Sequence, residues 1–210
     1  MKILIIKILL MLLIFNANGQ SYYNDSVFYA IINGLLETKY RDVGLVAVEL
    51  DKPSAVKAYF IDANGDTSEM DPPPPPPISA PIYFYYDKMM FINMYYNGQL
   101  DSIEAENMFQ RLDSVQSYNL DSSQIIVKTF HYQSIKDAFR SKGFEKGYHY
   151  MDKRYSKIGY LKLSTPVFNN GRDKCIISIS AFKSSSWTSI TYLFKKIENN
   201  WHIAYSQYDN

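Results

Sequence analysis

Apolar residues recur along this chain at two spacings, one typical of helices and the other typical of strands. After the capping residue Ser26, apolar side chains recur every three or four positions as far as Leu36, which predicts an amphipathic helix. The same spacing predicts three further helical segments, at Asp101–Val115, Ser134–Phe139 and Phe144–Tyr155. We expect Asp101 or Ser102 to cap the first of these three and Ser134 to cap the second.

Alternating apolar and polar residues predict strands in other parts of the chain. Two lie in its first third, at Gly44–Leu50 and Val56–Asp62, and a short one lies at Ile125–Phe130. Four more follow one another near the end, at Ile158–Leu163, Lys174–Phe182, Trp187–Lys195 and Trp201–Gln207. Because the connections between these four are short, they predict an antiparallel meander. We therefore expect an α+β fold in which helices pack on an antiparallel sheet.

The segment around residues 66–98 has the most unusual composition of the chain. Pro72–Pro77 are six consecutive prolines, which predict a stiff polyproline rod because proline neither donates to a sheet nor continues a helix. The runs Ile82–Tyr86 and Met89–Tyr96 follow, and both favour β-structure through their Tyr, Phe and Ile residues. We interpret residues 66–98 as an insertion into one domain that spans residues 20–210.

The first nineteen residues have the pattern of a secretory signal peptide. Lys2 precedes an apolar run from Ile3 to Phe15, and the small-residue triplet Ala17–Gly19 follows. Residues 1–19 are therefore expected to be removed on export to the periplasm or the extracellular space. No cysteine lies just after the apolar run, so a lipoprotein is not expected, and no membrane span is expected in the mature chain.

Charge and cysteine usage narrow the choice of partners. The signal segment holds two of the 22 basic residues and none of the 21 acidic ones, which leaves the mature chain with a net charge of −1. A near-neutral chain lacks the basic character that nucleic acid binding requires, so no nucleic acid partner is expected. Cys175 is the single cysteine, and its alternation with serines in a predicted strand indicates a buried side chain.

No motif in the chain identifies a reaction. There is no nucleophile elbow, no phosphate-binding glycine loop, and no pair of histidines at metal-ligand spacing, so we assign no catalytic residue, cofactor or metal. Aromatic and histidine side chains are the remaining candidates for ligand contact, because aromatic faces bind sugar rings or partner surfaces. On this basis the sequence nominates Tyr83, Tyr85, Tyr95, His131 and Tyr148.

Two motifs resemble those of a group of small exported bacterial proteins of unassigned function. These proteins share a strand of the form Leu-Ser-x-Pro-x-Phe, found here at Leu163–Phe168, and a closing hairpin Leu-x-Lys-Lys-x-x-x-x-Trp, found here at Leu193–Trp201. The second half of the chain also resembles cystatin-like, cone-shaped α+β domains, which implies a curved sheet. The cysteine pair common in that group is replaced here by Phe182–Ser186, and the resemblance assigns no functional residue.

Three functions remain open on the sequence. The first is a non-catalytic binding or interaction domain of the envelope or secreted fraction, with a protein or a saccharide as partner, and it predicts an exposed apolar patch. The second is a small enzyme, which requires a pocket with at least two convergent ionisable groups. The third is a carbohydrate binder, which requires coplanar exposed rings among Tyr83–Tyr96.

Overall fold

The computed structural model describes residues 22–56 and 84–208. The signal segment, the proline run and Tyr83 therefore lie outside the described residues. The helices and strands are β1 (Tyr22–Tyr23), α1 (Ser26–Thr38), β2 (Leu45–Asp51), β3 (Ser54–Val56), β4 (Tyr85–Asp87), α2 (Lys88–Tyr96), α3 (Ser102–Arg111), β5 (Tyr118–Leu120), β6 (Lys128–Phe130), α4 (Gln133–Tyr155), β7 (Tyr160–Ser164), β8 (Val167–Phe168), β9 (Lys174–Lys183), β10 (Ser186–Ile197) and β11 (Asn200–Tyr208). Single 3₁₀ turns occupy Leu112–Ser114 and Ser122–Gln124.

The described residues form an α+β fold around one open, curved sheet of nine strands, which confirms the predicted fold class. The strand order is β1-β5-β2-β7-β9-β10-β11, with β6 also pairing with β2 and β8 with β9. Strands β7, β9, β10 and β11 form the predicted antiparallel meander. The other half makes the sheet mixed, because β2 runs parallel to both β6 and β7. Strands β3 and β4 form a separate parallel pair.

Helix α1 covers one face of the sheet. Its buried side chains, from Phe28 to Leu36, pack on the residues of β9 and β10 that point to this face. Cys175, Ile177 and Ile179 alternate along β9 toward α1, as the strand pattern predicted, and Cys175 is fully buried. The capping residue lies one position earlier than expected. Asp25, rather than Ser26, accepts the hydrogen bond from Val27 N.

The opposite face carries two apolar clusters with a polar band between them. Helices α2 and α3 cover an aliphatic cluster that includes Ile176 and Leu193, and α4 covers an aromatic cluster that includes Tyr160 and Phe182. Five buried polar side chains of β7, β9 and β10 lie in the rows between these clusters: Lys162, Ser164, Ser178, Ser180 and Thr191.

Strand β4 bridges the two apolar clusters. Phe84, just before it, packs in the aromatic cluster, whereas Tyr86 packs in the aliphatic cluster. The Tyr86 hydroxyl lies 3.0 Å from Ser164 Oγ, so it also reaches the polar band. Lys162, Ser164 and Ser178 are fully buried, so these side chains of the polar band are closed off from solvent.

The prediction of β-structure over Met89–Tyr96 is wrong, because Lys88–Tyr96 forms helix α2. Met90, Phe91 and Met94 are buried at helical spacing, so packing on α3 decides the conformation over the strand preference of Tyr and Phe. Asn97-Gly98 follows this helix as a turn, with Gly98 at a positive φ of 68°. The strand predicted over Val56–Asp62 is described only at Val56, the last residue of β3.

The remaining two helices differ in how their ends are held. Asp101 caps α3 in a full capping box, since its carboxylate accepts from Glu104 N while the Glu104 carboxylate accepts from Asp101 N. Helix α4 joins the two helices predicted on either side of Gly143, which is a kink with φ 78°. It starts at Gln133 with no side-chain cap of its own, so Ser134 does not play the predicted capping role.

Candidate functional site

A break in the pairing of β2 creates the candidate site. This strand pairs with β6 through Leu45–Ala47 and then with β5 through Glu49 and Leu50. On its other side the register with β7 shifts between Val46 and Leu50, so three residues of β2 face a single residue of β7. Such a bulge redirects side chains. Here it lies where the edge of the sheet passes from β6 to β5 and meets the start of α4.

A cleft of about 430 Å³ opens at this point, which we name the β2–α4 cleft. Three segments supply its walls: β2, the start of β5, and the first turn of α4 together with His131, which lies two residues before that helix. The lining residues are Glu49, Leu50, Asp51, Ser117, Tyr118, Asn119, His131, Gln133 and Lys136. The volume is within the range of small-molecule sites in proteins.

Glu49 fixes one wall of the cleft to the start of α4. Its Oε2 accepts a hydrogen bond of 2.8 Å from Tyr132 N, and its Oε1 lies 3.3 Å from His131 Nδ1. Tyr132 is the N-cap residue of α4, so the Glu49 carboxylate supplies an acceptor that the helix lacks locally. A negative charge is favourable there because the helix dipole is positive at its N-terminus.

Asp51 contacts a buried lysine. It forms an ion pair with Nζ of Lys162, which projects from β7 and is fully buried, whereas the Asp51 side chain keeps 28% of its surface exposed. The Lys162 ammonium also lies 4.8 Å from the centre of the Tyr132 ring, at cation–π distance. Burial lowers the pKa of Lys162, and Asp51 opposes that shift by favouring the charged form.

Lys136 is the cation that borders the cleft itself. It lies one turn into α4, and its Nζ is 5.9 Å from the centre of the Tyr132 ring. Among the described residues, no carboxylate forms an ion pair with Lys136, whereas Lys162 is paired with Asp51. Within the described residues, the cleft therefore combines two carboxylates that already have polar partners with one ammonium group that forms no ion pair.

One of the five ligand contacts nominated from the sequence lines this cleft. His131 does so, with 74% of its side chain exposed. Tyr148 instead donates from its hydroxyl to the carbonyl of Ser185 and packs edge-on against Phe182, which is a packing role. Tyr85 is described only through its backbone in β4, and Tyr83 lies outside the described residues.

Tyr95 does not form an aromatic platform with its neighbour. The Tyr95 ring, on α2, has its centre 5.2 Å from that of Tyr96, and the two planes are inclined by 51°. The residues are exposed to 44% and 79%. Stacking against a sugar requires rings that share a plane, so the described part of Tyr83–Tyr96 does not provide the surface that the third sequence hypothesis needed.

Sequence reasoning missed four residues of the site: Glu49, Asp51, Lys136 and Lys162. Lys162 carried a usable signal, because a lysine at an inward position of the strand Ile158–Leu163 requires a partner when it is buried. Its partner could not be identified from the pattern, since Asp51 reaches β7 only through the shifted register of β2. Glu49 and Lys136 read as ordinary polar positions of a strand and a helix.

A second groove of about 450 Å³ borders the β8–β9 turn and shares Tyr118 with the cleft. Arg111 and Arg172 line it, but both guanidinium groups already contact residues of the protein at or near this turn. Arg111 donates to the carbonyl of Phe168 and to the Asn170 side chain, whereas Arg172 pairs with Asp25 and covers the Phe168 ring at 4.4 Å. We therefore take the β2–α4 cleft as the candidate site.

Comparison of the chain with protein-family models, with curated proteins and with solved structures found no match in any of the three. Within residues 22–56 and 84–208, no group of three His, Cys, Asp or Glu side chains is placed to hold a metal ion. None of the helices in those same ranges combines the length and the apolar character needed to cross a membrane.

Proposed function

We propose that this protein is an exported, non-catalytic binding protein that holds a small polar ligand in the β2–α4 cleft. The supporting observation is a cleft of about 430 Å³ in which both carboxylates are held by protein groups before any ligand arrives. Glu49 is held by Tyr132 N and Asp51 by Lys162. Fixed polar groups suit recognition because a ligand does not have to order them.

The same contacts favour binding over catalysis. A general acid or base must exchange protons with a substrate, whereas Glu49 is occupied by the start of α4 and Asp51 neutralises a buried ammonium. Ser117 Oγ, a hydroxyl of the cleft wall, accepts a hydrogen bond from Lys52 N, and among the described residues no base is hydrogen-bonded to it. The groups of the cleft thus hold positions and do not form an activated nucleophile.

Export is supported by the first nineteen residues and by cysteine usage. The basic start, apolar run and Ala17–Gly19 triplet are typical of a cleaved signal peptide. The lone Cys175 is buried, so an oxidising compartment would neither pair nor readily oxidise it. A binding protein of the periplasm or the extracellular space is consistent with these features.

Ligand-observed NMR tests the proposal with a panel of neutral saccharides, sugar acids, amino acids and nucleosides. Ser117→Trp places a bulky ring in the cleft, and Ser206→Trp is the matched control on an exposed position of β11. We expect at least one class to give saturation-transfer signals that Ser117→Trp removes and Ser206→Trp retains, with both variants folded by circular dichroism. No signal from any class, or signals that persist in Ser117→Trp, would overturn the proposal.

A second candidate function is catalysis by the Glu49–His131 pair. Glu49 Oε1 lies 3.3 Å from His131 Nδ1, an arrangement that leaves the other ring nitrogen available as a base. Chromogenic glycosides, esters and phosphate esters test it directly. Turnover of any of these that falls at least a hundredfold in His131→Ala would replace binding with catalysis as the function of the cleft.

A further inference from the structure

The charged side chains around the β2–α4 cleft differ in whether they have a polar partner within the described residues. Glu49 and Asp51 each have a partner, and the partner of Asp51 is the buried Lys162. Lys136 borders the same cleft without an ion-pair partner among the described residues. An ammonium group at the wall of a partly enclosed site favours a ligand that carries a negative charge.

The two carboxylates limit how much negative charge that ligand can carry. They line the same cleft as Lys136, so a doubly charged phosphate would meet both of them as like charges. A single carboxylate gains the contact with Lys136 at less repulsion. Glu49 keeps its charge, since it accepts from the neutral Tyr132 N–H, so the arrangement favours a ligand with a single carboxylate placed at Lys136 over a phosphate ester.

The rest of the lining suits hydroxyl groups. Gln133 donates its amide nitrogen to Asp137 and Ser117 accepts from Lys52 N, so a ligand would use the Gln133 amide oxygen, the Ser117 hydroxyl hydrogen and the Glu49 and Asp51 oxygens. Tyr118 adds the edge or face of a ring. A volume of about 430 Å³ accommodates a ligand of one or two sugar rings.

We propose that the β2–α4 cleft binds a hydroxyl-rich organic acid of the uronic-acid type, with the ligand carboxylate on Lys136 and its hydroxyls on the neutral polar side chains and the two acids. This inference rests on the proposed function, because it assigns a ligand class to the same cleft. It makes Lys136 the specificity-determining residue, whereas Glu49 and Asp51 orient the hydroxyls.

Three sugars that share one ring and differ in charge test the inference: glucuronate, glucose and glucosamine. Titration calorimetry or NMR at about 0.15 M salt should give the affinity order glucuronate, glucose, glucosamine. A partly exposed ion pair predicts a preference of up to about fivefold for glucuronate over glucose. Lys136→Gln should reduce that preference to less than about twofold, since it removes the charge that the ligand carboxylate contacts. Lys146→Gln, an exposed position on the same helix, is the control.

The outcomes separate this inference from the proposed function. Glucosamine binding as tightly as glucuronate, a preference that survives Lys136→Gln, or no binding of any of the three overturns the ligand class. The panel with Ser117→Trp still decides whether the cleft binds ligands at all. A glucuronate preference that Lys136→Gln removes, and that weakens at about 1 M salt through screening, supports both.

Discussion

At the scale of single residues, Lys162 is the most informative side chain of the molecule. It is fully buried in β7, and its charge is compensated by Asp51 and by the face of the Tyr132 ring. Burial of an ion pair is costly, and replacing such a pair with apolar residues is often neutral or stabilising. Its presence here places Asp51 at the floor of the β2–α4 cleft and so links the core to the site.

Removing the two partners of this pair should have unequal effects on stability. Asp51→Asn leaves a buried ammonium without its counter-charge, and we expect it to lower the free energy of unfolding by about 3 kcal/mol. Lys162→Met leaves only the partly exposed Asp51, which water can solvate, so we expect a change within about 1 kcal/mol. Urea denaturation of both variants measures the difference. If both substitutions lowered the free energy of unfolding equally, the charge of Lys162 would be a net stabilising feature, and its burial would not carry the expected cost.

The lowered pKa of Lys162 also predicts how stability depends on pH. Between its folded-state pKa and the usual 10.5, the unfolded chain binds more protons than the folded one, so stability rises with pH in that interval. Above about pH 10 the opposite applies to Tyr40 and Tyr160, whose pKa values are raised by burial, and stability falls. Lys162→Met lacks this ionisable group. As pH approaches 10.5, the wild type should therefore become more stable relative to Lys162→Met. A difference that stays constant up to pH 10.5 contradicts this assignment.

At the scale of elements, the last hairpin combines two different strand faces. Trp201 packs against the α1 cluster, with its ring centre 6.3 Å from that of Phe168, whereas Tyr205 packs against the α2–α3 cluster. Regular alternation along a strand would place Trp201, Ile203 and Tyr205 on one face, but the register of β10 and β11 shifts at Leu193 and Phe194 and interrupts it. The bulge thus allows β11 to contribute to both cores.

Trp201 should matter for stability more than its neighbour on the strand. It is half-buried, so Trp201→Ala is expected to lower the free energy of unfolding by about 2 kcal/mol, below the value typical of a fully buried Trp. Ile203→Ala, at an exposed position of the same strand, should change it by less than about 1 kcal/mol. Thermal and urea denaturation measure both. Comparable losses at the two positions would mean that β11 is held by its backbone pairing and not by Trp201.

The sequence predicted those elements whose stabilising contacts lie close together along the chain. The C-terminal meander was predictable because short turns connect strands that are neighbours in the sheet. Helix α2 was not, since Tyr, Phe and Ile favour strands and only its packing on α3 selects the helix. The parallel pairing of β2 with β7 joins residues more than a hundred positions apart, which no local pattern specifies.

The candidate site was less predictable than the fold for the same reason. His131 was nominated from its residue type, but the cleft exists only where the β2 bulge, the start of β5 and the first turn of α4 meet. Glu49 and Asp51 are two residues apart on one strand and look like ordinary polar positions. Their partners, Tyr132 N and Lys162, are 83 and 111 residues away along the chain.

At the scale of the whole molecule, the proposal of export predicts that the N-terminal segment is removed. The pattern of Lys2, Ile3–Phe15 and Ala17–Gly19 predicts cleavage after Gly19. Mass spectrometry of the protein recovered outside the cytoplasm should show a chain that starts at Gln20 or Ser21. A chain that retains Met1 and remains with the membrane fraction would remove export from the account, although it would leave the cleft unaffected.

The central claim is that the β2–α4 cleft is where this protein binds its ligand. Amide chemical-shift mapping tests it most directly, because it locates a bound molecule without assuming which residues contact it. Titration of the labelled protein with glucuronate should shift the amides of Glu49–Asp51, Ser117–Asn119 and His131–Lys136. Shifts confined to α2 around Tyr95 and Tyr96, or to the outer strand β11, would place the binding surface elsewhere and contradict the claim.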